Sequence, residues 1–271
     1  MIESESIDAS HAVESFLDWS ERDRGRSAST MRRYRAVLGQ IEGVQTASRA
    51  EVEAWWSSRT HLSEATRANE LACLRSFYRW AMRFDVRADD PTRRLDAPKI
   101  PNHVPRAIGE SDLARLMSVA RDESPDLYRC LALGAYAGLR VSEAAGLDWS
   151  NVDVEASRIF VRGKGRKERV FGLSPVLHDK IKPEVAGNVV TAGQKPYSGA
   201  TLQRKVNRFI DRNGVGHTYH DLRKRAAMLA IAKTGNVHAV AAAFGWSSIE
   251  TANHYAVVMD DTLDAIAAAV V

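Results

Sequence analysis

A short proline-rich stretch divides the chain and limits how it can fold. Residues 97–106 read APKIPNHVPR, with three prolines in ten positions. Proline lacks a backbone N–H and biases the residue before it towards extended geometry, so this segment predicts a stiff, open linker. A chain of 271 residues is long enough for two compact domains. We therefore predict one domain over residues 1–96 and another over residues 107–271.

The first domain is predicted to contain helices only. Ser63 is placed to cap a helix that runs to about Phe84. Apolar residues recur along this helix at three- and four-residue spacing: Leu71, Leu74, Tyr78 and Met82. Arginines four residues apart form a stripe on its other side: Arg75, Arg79 and Arg83. An earlier helix also opens with bases, Arg32 and Arg33, and two such helices in one small domain favour contacts with phosphates over a merely solvated surface.

The second domain is predicted to combine helices with one β-hairpin. Residues 158–162 (RIFVR) and 167–171 (KERVF) have strand-like sequences and flank Gly163-Lys-Gly-Arg166, a glycine-bearing tip. From Leu202 onwards the pattern is helical again and is punctuated by glycines. The predicted fold class is therefore mainly α with a small antiparallel β-sheet, in two domains.

Charge is unevenly distributed, although the net charge is only +4. Residues 1–23 contain seven acids and one base, whereas residues 158–169 contain six bases and one acid. Residues 204–225 contain seven bases and two acids. Such clusters are either solvated faces or footprints for nucleic-acid phosphates. On the second interpretation the candidate contacts are Arg166, Lys167, Arg204 and Lys205.

Composition excludes several other classes of protein. No apolar run approaches 18 residues, so no membrane span is predicted. The acidic, polar N-terminus MIESESIDAS does not have the pattern of a secretory signal. Cys73 and Cys130 are far apart and are predicted to be buried apolar residues, which indicates an intracellular setting.

Two basic residues stand in local settings that suit an anion. Ser142 is a good N-cap, which places Arg140 just before a helix start, where free N–H groups and the helix dipole favour negative charge. Lys164 lies between two glycines at the predicted hairpin tip. Each has an ordinary explanation as a surface residue. Lys164 could also reach into a DNA groove and donate a proton.

Two further motifs lie in the C-terminal third of the chain. His220 and Arg223 are spaced i, i+3 and therefore share one helix face. His217 suggests a metal pair with His220, but no cysteine or carboxylate cluster completes it, so no metal site is predicted. Trp246 follows a glycine, and Ser248 can cap a short helix that presents Tyr255 near its end. Alone, such a tyrosine is usually a packing residue.

Together these motifs resemble the tyrosine recombinase, or phage integrase, family. The family pattern is G-L-R-x-S-E, a lysine in a G-K-G hairpin, H-x-L-R, and a glycine followed by histidine or tryptophan, with a tyrosine nine residues later. The matching residues of this chain, in order, are Arg140, Lys164, His220, Arg223, Trp246 and Tyr255. Residues 74–80 and the proline linker also resemble the family's helical, SAM-like core-binding domain. The resemblance extends over nearly the whole chain.

The resemblance implies a role for each motif residue. Tyr255 is the expected nucleophile and forms a 3′-phosphotyrosyl bond, while Arg140 and Arg223 bind the scissile phosphate. His220 is the expected base or hydrogen-bond partner, and Lys164 the acid for the leaving oxygen. Trp246 is expected to buttress the transition state. Glu143 is expected to orient its neighbours from behind the site, and neither a cofactor nor a metal is needed.

The family also implies partners and a setting. The expected partners are duplex DNA attachment sites, with a monomer in free solution and a homotetramer on two paired duplexes, in the cytoplasm of a bacterial host. The segment between Leu173 and Tyr197 is short for the family, and no arm-site-binding domain is recognised, which resembles small integrases of actinobacterial phages. Leu263 and Ile266 suit a C-terminal docking helix, and residues 267–271 (AAAVV) alternatively resemble a degradation tag.

Three other functions fit parts of the pattern. A type IB topoisomerase shares the two arginines, the lysine and the tyrosine, but relaxes supercoils as a monomer. A DNA-binding protein that has lost catalysis fits poorly, because all six motif positions are intact. A chromosome-dimer recombinase of the Xer kind is the nearest alternative. Trp246, and Ala256-Val257 where that group has Thr-His, argue mildly against it.

Overall fold

The chain forms two compact units, residues Met1–Asn102 and His103–Val271. A computed structural model describes residues 9–101, 107–162, 168–181, 187–192 and 195–246. The division between the units falls inside the predicted linker, residues 97–106. The bounds given above to the two domains remain a prediction.

The described part of the first unit is helical, as its sequence predicts. Its four α-helices are α1 (Ala12–Arg22), α2 (Ala28–Leu38), α3 (Arg49–Ser58) and α4 (Glu64–Arg83), with 3₁₀ turns at Ala9–His11 and Arg59–His61. Ser63 caps α4 as predicted, because its hydroxyl accepts a hydrogen bond from the backbone N–H of Thr66 at 3.3 Å. Local sequence therefore sets where this longest helix begins.

Aromatic and aliphatic side chains from α1, α2 and α4 fill the core of this unit. Phe16, Leu71, Leu74 and Phe77 have no exposed surface, and the rings of Phe16 and Phe77 meet edge to face at 5.5 Å. Met82, which the spacing assigns to the buried face of α4, is 42% exposed. That assignment is wrong because the buried face near the end of the helix is formed by Phe77, Trp80 and Ala81, and Met82 does not lie on it.

The described part of the second unit has helices on both sides of a small sheet in chain order. In the described residues they are α5 (Glu110–Glu123), α6 (Pro125–Tyr136), α7 (Val141–Gly146), α8 (Pro175–Ile181), α9 (Gly199–Arg212), α10 (Tyr219–Thr234) and α11 (Val237–Phe244). Helix α6 packs against α5, α8 and α10. Leu131 and Leu133 of α6 have no exposed surface. This buried helix leads directly into α7, which opens the candidate site.

A three-stranded antiparallel sheet lies between α7 and α8. Its strands are β1 (Val152–Asp153), β2 (Arg158–Arg162) and β3 (Glu168–Gly172), in that order across the sheet. Phe160 pairs with Val170 in the β2–β3 hairpin, which confirms the predicted pairing. The described strand β3 begins one residue after the predicted start at Lys167. The very short β1 had no sequence signal, and a second small ladder joins β4 (Thr191–Ala192) to β5 (Lys195–Pro196).

Both cysteines are buried, as predicted. Burial raises the pKa of the Cys73 thiol to about 11 and also raises that of Cys130, so both stay protonated at neutral pH and serve as packing groups. Among the described residues, we find no helix that is both long and apolar enough to cross a bilayer.

Candidate active site

The tight turn between α6 and α7 places Arg140 at the surface. Gly138 in this turn has φ +65°, and a β-carbon there would lie 2.3 Å from Cε1 of Phe244. Only glycine fits such a backbone at such a contact. Arg140, and not Ser142, occupies the N-cap position of α7, so the predicted Ser142 cap is wrong. The helix begins two residues earlier than predicted because Glu143 can then bond back to the backbone of Arg140.

The buried carboxylate of Glu143 pairs with the arginines of the site. Its side chain is only 6% exposed and accepts hydrogen bonds from the backbone N–H and from Nη1 of Arg140, each at 2.8 Å. Nη2 of Arg169 binds the same oxygen, Oε1, as Nη1 of Arg140. Nη1 of Arg223 lies 3.9 Å from the other oxygen. A buried carboxylate surrounded by three guanidiniums is fully paired and rigidly held.

Arg140 is the most exposed of the three guanidiniums. Its side chain is 40% exposed, compared with 10% for Arg169 and 3% for Arg223. Nη2 of Arg140 donates to the carbonyl oxygen of Gly245 at 2.9 Å, at the left-handed C-terminal turn of α11. The fork is therefore held on two sides by the protein while the rest of it remains open to a ligand.

Arg223 lies almost completely inside the protein. Helix α10 carries it beneath the α6–α7 turn, where its two terminal nitrogens donate to the carbonyl oxygens of Gly138 and Phe244. Burial, and after it the nearby charge of Arg140, lower the pKa of Arg223 to about 10 although Glu143 opposes both effects. A pKa this far above neutrality leaves the guanidinium charged.

Hydrogen bonds at the start of α10 orient His220. Asp221 accepts from the backbone N–H of Thr218 at 2.8 Å and from Nζ of Lys224 at 2.7 Å, while the N–H of Tyr219 donates to Asn207 Oδ1 at 2.9 Å. Burial alone would raise the pKa of Asp221, but the donors of Lys224 and Thr218 outweigh it and lower the pKa. An ionised carboxylate thus secures the first turn of the helix that carries both His220 and Arg223.

The His220 imidazole has a lowered pKa. Protein atoms surround much of the ring although one side stays exposed, and the resulting loss of hydration favours the neutral form. The cations of Lys224, Arg223 and Arg140 lower the pKa further, and Asp221 opposes them. The imidazole is therefore mainly neutral at neutral pH and can accept a proton.

Trp246 stands beside this cluster. It directly follows Gly245, and its ring packs against Phe244 with 5.4 Å between ring centroids. Its backbone N–H donates to the carbonyl oxygen of Ala241 at 3.0 Å. The structure thus brings together Arg140, Glu143, Arg223 and Trp246. It places His220 close enough for the charges of both arginines to lower its pKa.

Several predicted features lie outside the described residues. They are the catalytic candidates Lys164 and Tyr255, the basic residues Arg166 and Lys167, the Ser248 cap, and the C-terminal docking or degradation segment. His217, the other half of the suggested metal pair, instead has Nδ1 3.7 Å from Asp221 Oδ2. Within the ranges that the structure describes, we find no group of three metal-ligating side chains.

The arginines of the first unit differ in how they are engaged. Arg32 and Arg33 are exposed on α2, and Arg79 and Arg83 are exposed on α4. Arg75 is half-buried and donates to the carbonyl oxygen of Leu95. Four of the five predicted DNA contacts in this unit are therefore open to a ligand, whereas Arg75 also supports the segment that follows α4.

In the second unit, helix α9 carries another row of basic residues. Arg204 and Arg208 are exposed, whereas Arg212 pairs with Glu123 and Lys205 donates from Nζ to the Tyr197 hydroxyl at 2.6 Å. Lys205, a predicted DNA contact, is therefore already engaged within the protein. These α9 cations line a groove whose floor is apolar.

Arg169 is part of the site but was not among the residues singled out from the sequence. Strand β3 alternates, with Arg169 and Phe171 on the inner face and Glu168, Val170 and Gly172 exposed. That alternation was the available signal, because it separates Arg169 from the other bases of the hairpin. Its partner Glu143 could not be identified from spacing alone.

A cluster of guanidiniums around one carboxylate, beside a neutral imidazole, has the chemistry needed to bind a phosphate ester. The Phage integrase family matches residues 106–261, and its N-terminal SAM-like domain matches residues 13–84. The first match alone covers more than half of the chain. The chain therefore belongs to the phage integrase family, which confirms the resemblance read from its motifs.

Similar proteins agree with this assignment. The chain is 30% identical over 282 residues to the tyrosine recombinase XerD of Xanthomonas campestris pv. campestris, covering 91% of this chain and 87% of that protein. It is 29% identical over 265 residues to XerC of Corynebacterium efficiens, covering 90% and 86%. A lambda integrase tetramer bound to a Holliday junction shares the fold, with TM-score 0.69 and 18% identity over 87% of this chain and 77% of that one. The chain is a tyrosine recombinase, an enzyme of site-specific DNA recombination.

Proposed function

We propose that this recombinase cleaves and rejoins duplex DNA through a covalent bond between Tyr255 and a 3′ phosphate. The observation that carries the proposal is the convergence of Arg140 and Arg223 on the buried Glu143, with Arg140 left 40% exposed beside His220. This arrangement presents positive charge at one point of the surface. A single phosphodiester fits it, since each guanidinium offers paired donors to the phosphate oxygens.

The two guanidiniums stabilise the transition state for strand cleavage. Phosphorus becomes five-coordinate when it is attacked, and its non-bridging oxygens gain negative charge. Donors that are already oriented lose no reorganisation energy at that moment, and each contributes roughly 3–4 kcal/mol in comparable sites. Arg140 is held by Glu143 and Gly245, and Arg223 by Gly138 and Phe244, so both are oriented before DNA arrives.

Bond making and bond breaking balance within the DNA and the protein. The phenol oxygen of Tyr255 forms a bond to phosphorus, and the bond from phosphorus to the 5′ oxygen breaks. His220 accepts the phenol proton or its hydrogen bond, and Lys164 donates a proton to the departing 5′ oxygen. The phosphotyrosyl bond conserves the energy of the phosphodiester, so the 5′ hydroxyl of a partner duplex can reverse the step without a nucleotide cofactor.

The pH dependence of cleavage should report His220. Because the pKa of its imidazole is lowered, the rate should rise with pH with a midpoint below the usual histidine value of about 6.5 and then level off. His220→Gln should lower the single-turnover cleavage rate by about 10²–10⁴-fold and remove this inflection. Rates on a nicked suicide duplex between about pH 5 and 8 test it. The same inflection in the variant would exclude His220 as its source.

Binding should depend on salt through the exposed arginines. A β-carbon on Gly199 would lie 3.0 Å from that of Ser142, so α9 begins beside α7. Arg204 and Arg208 then follow about 8 and 14 Å further along its axis. We expect Arg204→Ala with Arg208→Ala to flatten the slope of log K against log salt by about two.

Arg212→Ala is the matched control for this measurement, because Arg212 lies on the same helix but is paired with Glu123. It should leave the salt slope nearly unchanged. A double variant with the wild-type slope would remove α9 from the DNA interface.

We further propose that both units bind one duplex and that four protomers assemble on two duplexes. The lambda integrase tetramer on a Holliday junction has the same fold, and the exposed arginines of α2 and α4 supply phosphate contacts in the first unit. Sedimentation of the free protein and of its complex with a synthetic junction tests this. A monomer should be seen without DNA.

Mapping the covalent adduct tests the central proposal. The protein is incubated with sheared host and phage DNA, adducts are captured after denaturation, and the attached DNA and peptide are sequenced. We expect one peptide containing Tyr255, joined to the 3′ end of a small set of sites. Random attachment positions, together with relaxation of supercoils and no resolution of a Holliday junction, would indicate a topoisomerase.

The mapped sites also separate two biological roles. The similarity to XerC and XerD over 90% and 91% of this chain favours dimer resolution, which acts on two copies of one site. Trp246 and Ala256-Val257 favour phage-type integration, which joins two different sites that share a short core. We favour integration, and recovery of only one repeated chromosomal site would overturn that choice.

A further inference from the structure

Arg169 is the third guanidinium of the site and, with Arg223, one of two that are buried, and none of the roles proposed above uses it. It is the second residue of β3, on the inner face of the sheet, with a side chain only 10% exposed. Its guanidinium lies 5.4 Å from the ring of Phe171. Burying a guanidinium is costly unless its donors are paired. Its contacts therefore indicate what it is for.

The main partner of Arg169 is the oxygen that also holds Arg140. Nη2 of Arg169 and Nη1 of Arg140 both donate to Oε1 of Glu143. The side chains of Arg169 and Glu143 are 10% and 6% exposed, so water competes little for this bond. The carboxylate is thus clamped between a strand on one side and the exposed guanidinium on the other.

Arg169 also abuts the backbone that holds the other side of Arg140. A β-carbon on Gly245 would lie 2.5 Å from Nη1 of Arg169, and the Gly245 carbonyl oxygen accepts from Nη2 of Arg140 at 2.9 Å. Nη1 of Arg169 makes a longer contact of 3.4 Å with the carbonyl oxygen of Ala243. Arg169 therefore contacts both of the groups that hold Arg140, namely the Glu143 carboxylate and the turn at Gly245.

The positive charge of Arg169 also affects how strongly the Arg140 guanidinium attracts a phosphate. Without it, the Glu143 carboxylate would be balanced chiefly by Arg140, at 2.8 Å, and more weakly by Arg223, at 3.9 Å. A guanidinium that neutralises a carboxylate offers less attraction to a phosphate. Arg169 takes over part of that pairing and leaves more of the Arg140 charge for the ligand.

We propose that Arg169 is a positioning residue that fixes the Arg140 guanidinium towards the scissile phosphate, through the Glu143 oxygen that the two arginines share. The inference rests on the proposed function, because it assigns a role within that reaction. Arg169→Met keeps the length of the side chain but removes its charge and donors. We expect it to slow cleavage by about 10–100-fold, the loss expected when a reacting group is displaced by about 1 Å.

Three forms of one suicide duplex separate this role from a structural one. The scissile link is a normal phosphodiester, a neutral methylphosphonate, or a 5′-bridging phosphorothiolate whose leaving group needs no proton. Arg169→Met should be slow on the first and third, which carry the negative charge that Arg140 meets. It should lose little on the methylphosphonate, the same pattern as Arg140→Ala. Arg169→Lys should recover part of the rate, because it restores charge without the fork.

Other patterns overturn the inference. An equal loss on all three substrates assigns Arg169 to fold stability, and recovery on the phosphorothiolate alone assigns it to the hairpin that carries Lys164. Wild-type rates in Arg169→Met also overturn it. If Arg169→Met does not fold, the comparison is made with Arg169→Lys.

Two controls complete the experiment. Arg115→Met removes an exposed arginine of α5 that pairs with Asp112, and should cleave all three substrates at the wild-type rate. The wild-type protein must form an adduct on the phosphodiester. If it forms none, the result contradicts the proposed function itself and not the role of Arg169 within it.

Discussion

Replacing Tyr255 by phenylalanine is expected to abolish the covalent adduct on a suicide duplex and to leave DNA affinity at the wild-type level. In the proposed reaction the phenol oxygen is the atom that bonds to phosphorus, and phenylalanine has no nucleophile to replace it. The cationic pocket formed by Arg140 and Arg223 is unchanged, so the phosphate should still bind. Denaturing gels measure the adduct, and a mobility-shift titration at fixed salt measures binding.

Tyr128→Phe is the matched control for this experiment. Its ring lies near Arg121, and its hydroxyl accepts from Nη2 of that residue at 3.4 Å. The control should form the adduct at the wild-type rate. An adduct from Tyr255→Phe would assign the nucleophile to another residue, whatever the effect on binding.

Arg223→Ala should combine a catalytic loss with a loss of stability. Removing one oriented donor from such a site lowers the cleavage rate by about 10²–10³-fold. The buried carbonyl oxygens of Gly138 and Phe244 would also each lose the Arg223 nitrogen that now donates to them. Each buried acceptor left unpaired costs about 1–3 kcal/mol. Single-turnover cleavage and urea unfolding of the full chain measure the two effects separately.

Arg140→Ala tests whether these effects separate. Its side chain is 40% exposed, compared with 3% for Arg223, so its removal should abolish cleavage of the normal phosphodiester with a much smaller change in the free energy of unfolding. DNA binding should weaken only modestly in both variants. Equal destabilisation by the two substitutions would contradict the buried, structural placement of Arg223.

Local sequence predicted much of the fold because the relevant signals act over a few residues. Ser63 caps α4 through a bond to the residue three positions later, and the β2–β3 pairing follows from two short strand patterns around a glycine-bearing tip. The predictions were wrong where contacts beyond the local sequence pattern determine which face is buried or where a helix begins. Met82 is exposed because the packing of neighbouring helices selects the buried face, and Arg140 becomes the N-cap of α7 because Glu143 bonds back to it.

The candidate site was predicted in part. Motif order singled out Arg140 and Arg223, and the described structure brings both to Glu143 although 83 positions separate the two arginines in the chain. Arg169 was missed because its partner lies 26 residues away in sequence, in another element. The assignments of Lys164 and Tyr255 stay predictions, since both lie outside the described residues.

By itself, the sequence determined the family, the helical first domain, the hairpin and the order of the reactive groups. These properties are written in residue types and spacings that local physical chemistry can interpret. Only the tertiary structure decided which guanidinium faces outward and which two are buried. Burial depends on how α7, α10, β3 and the end of α11 pack, and the Glu143 carboxylate must be shared among cations that no short stretch of sequence brings together.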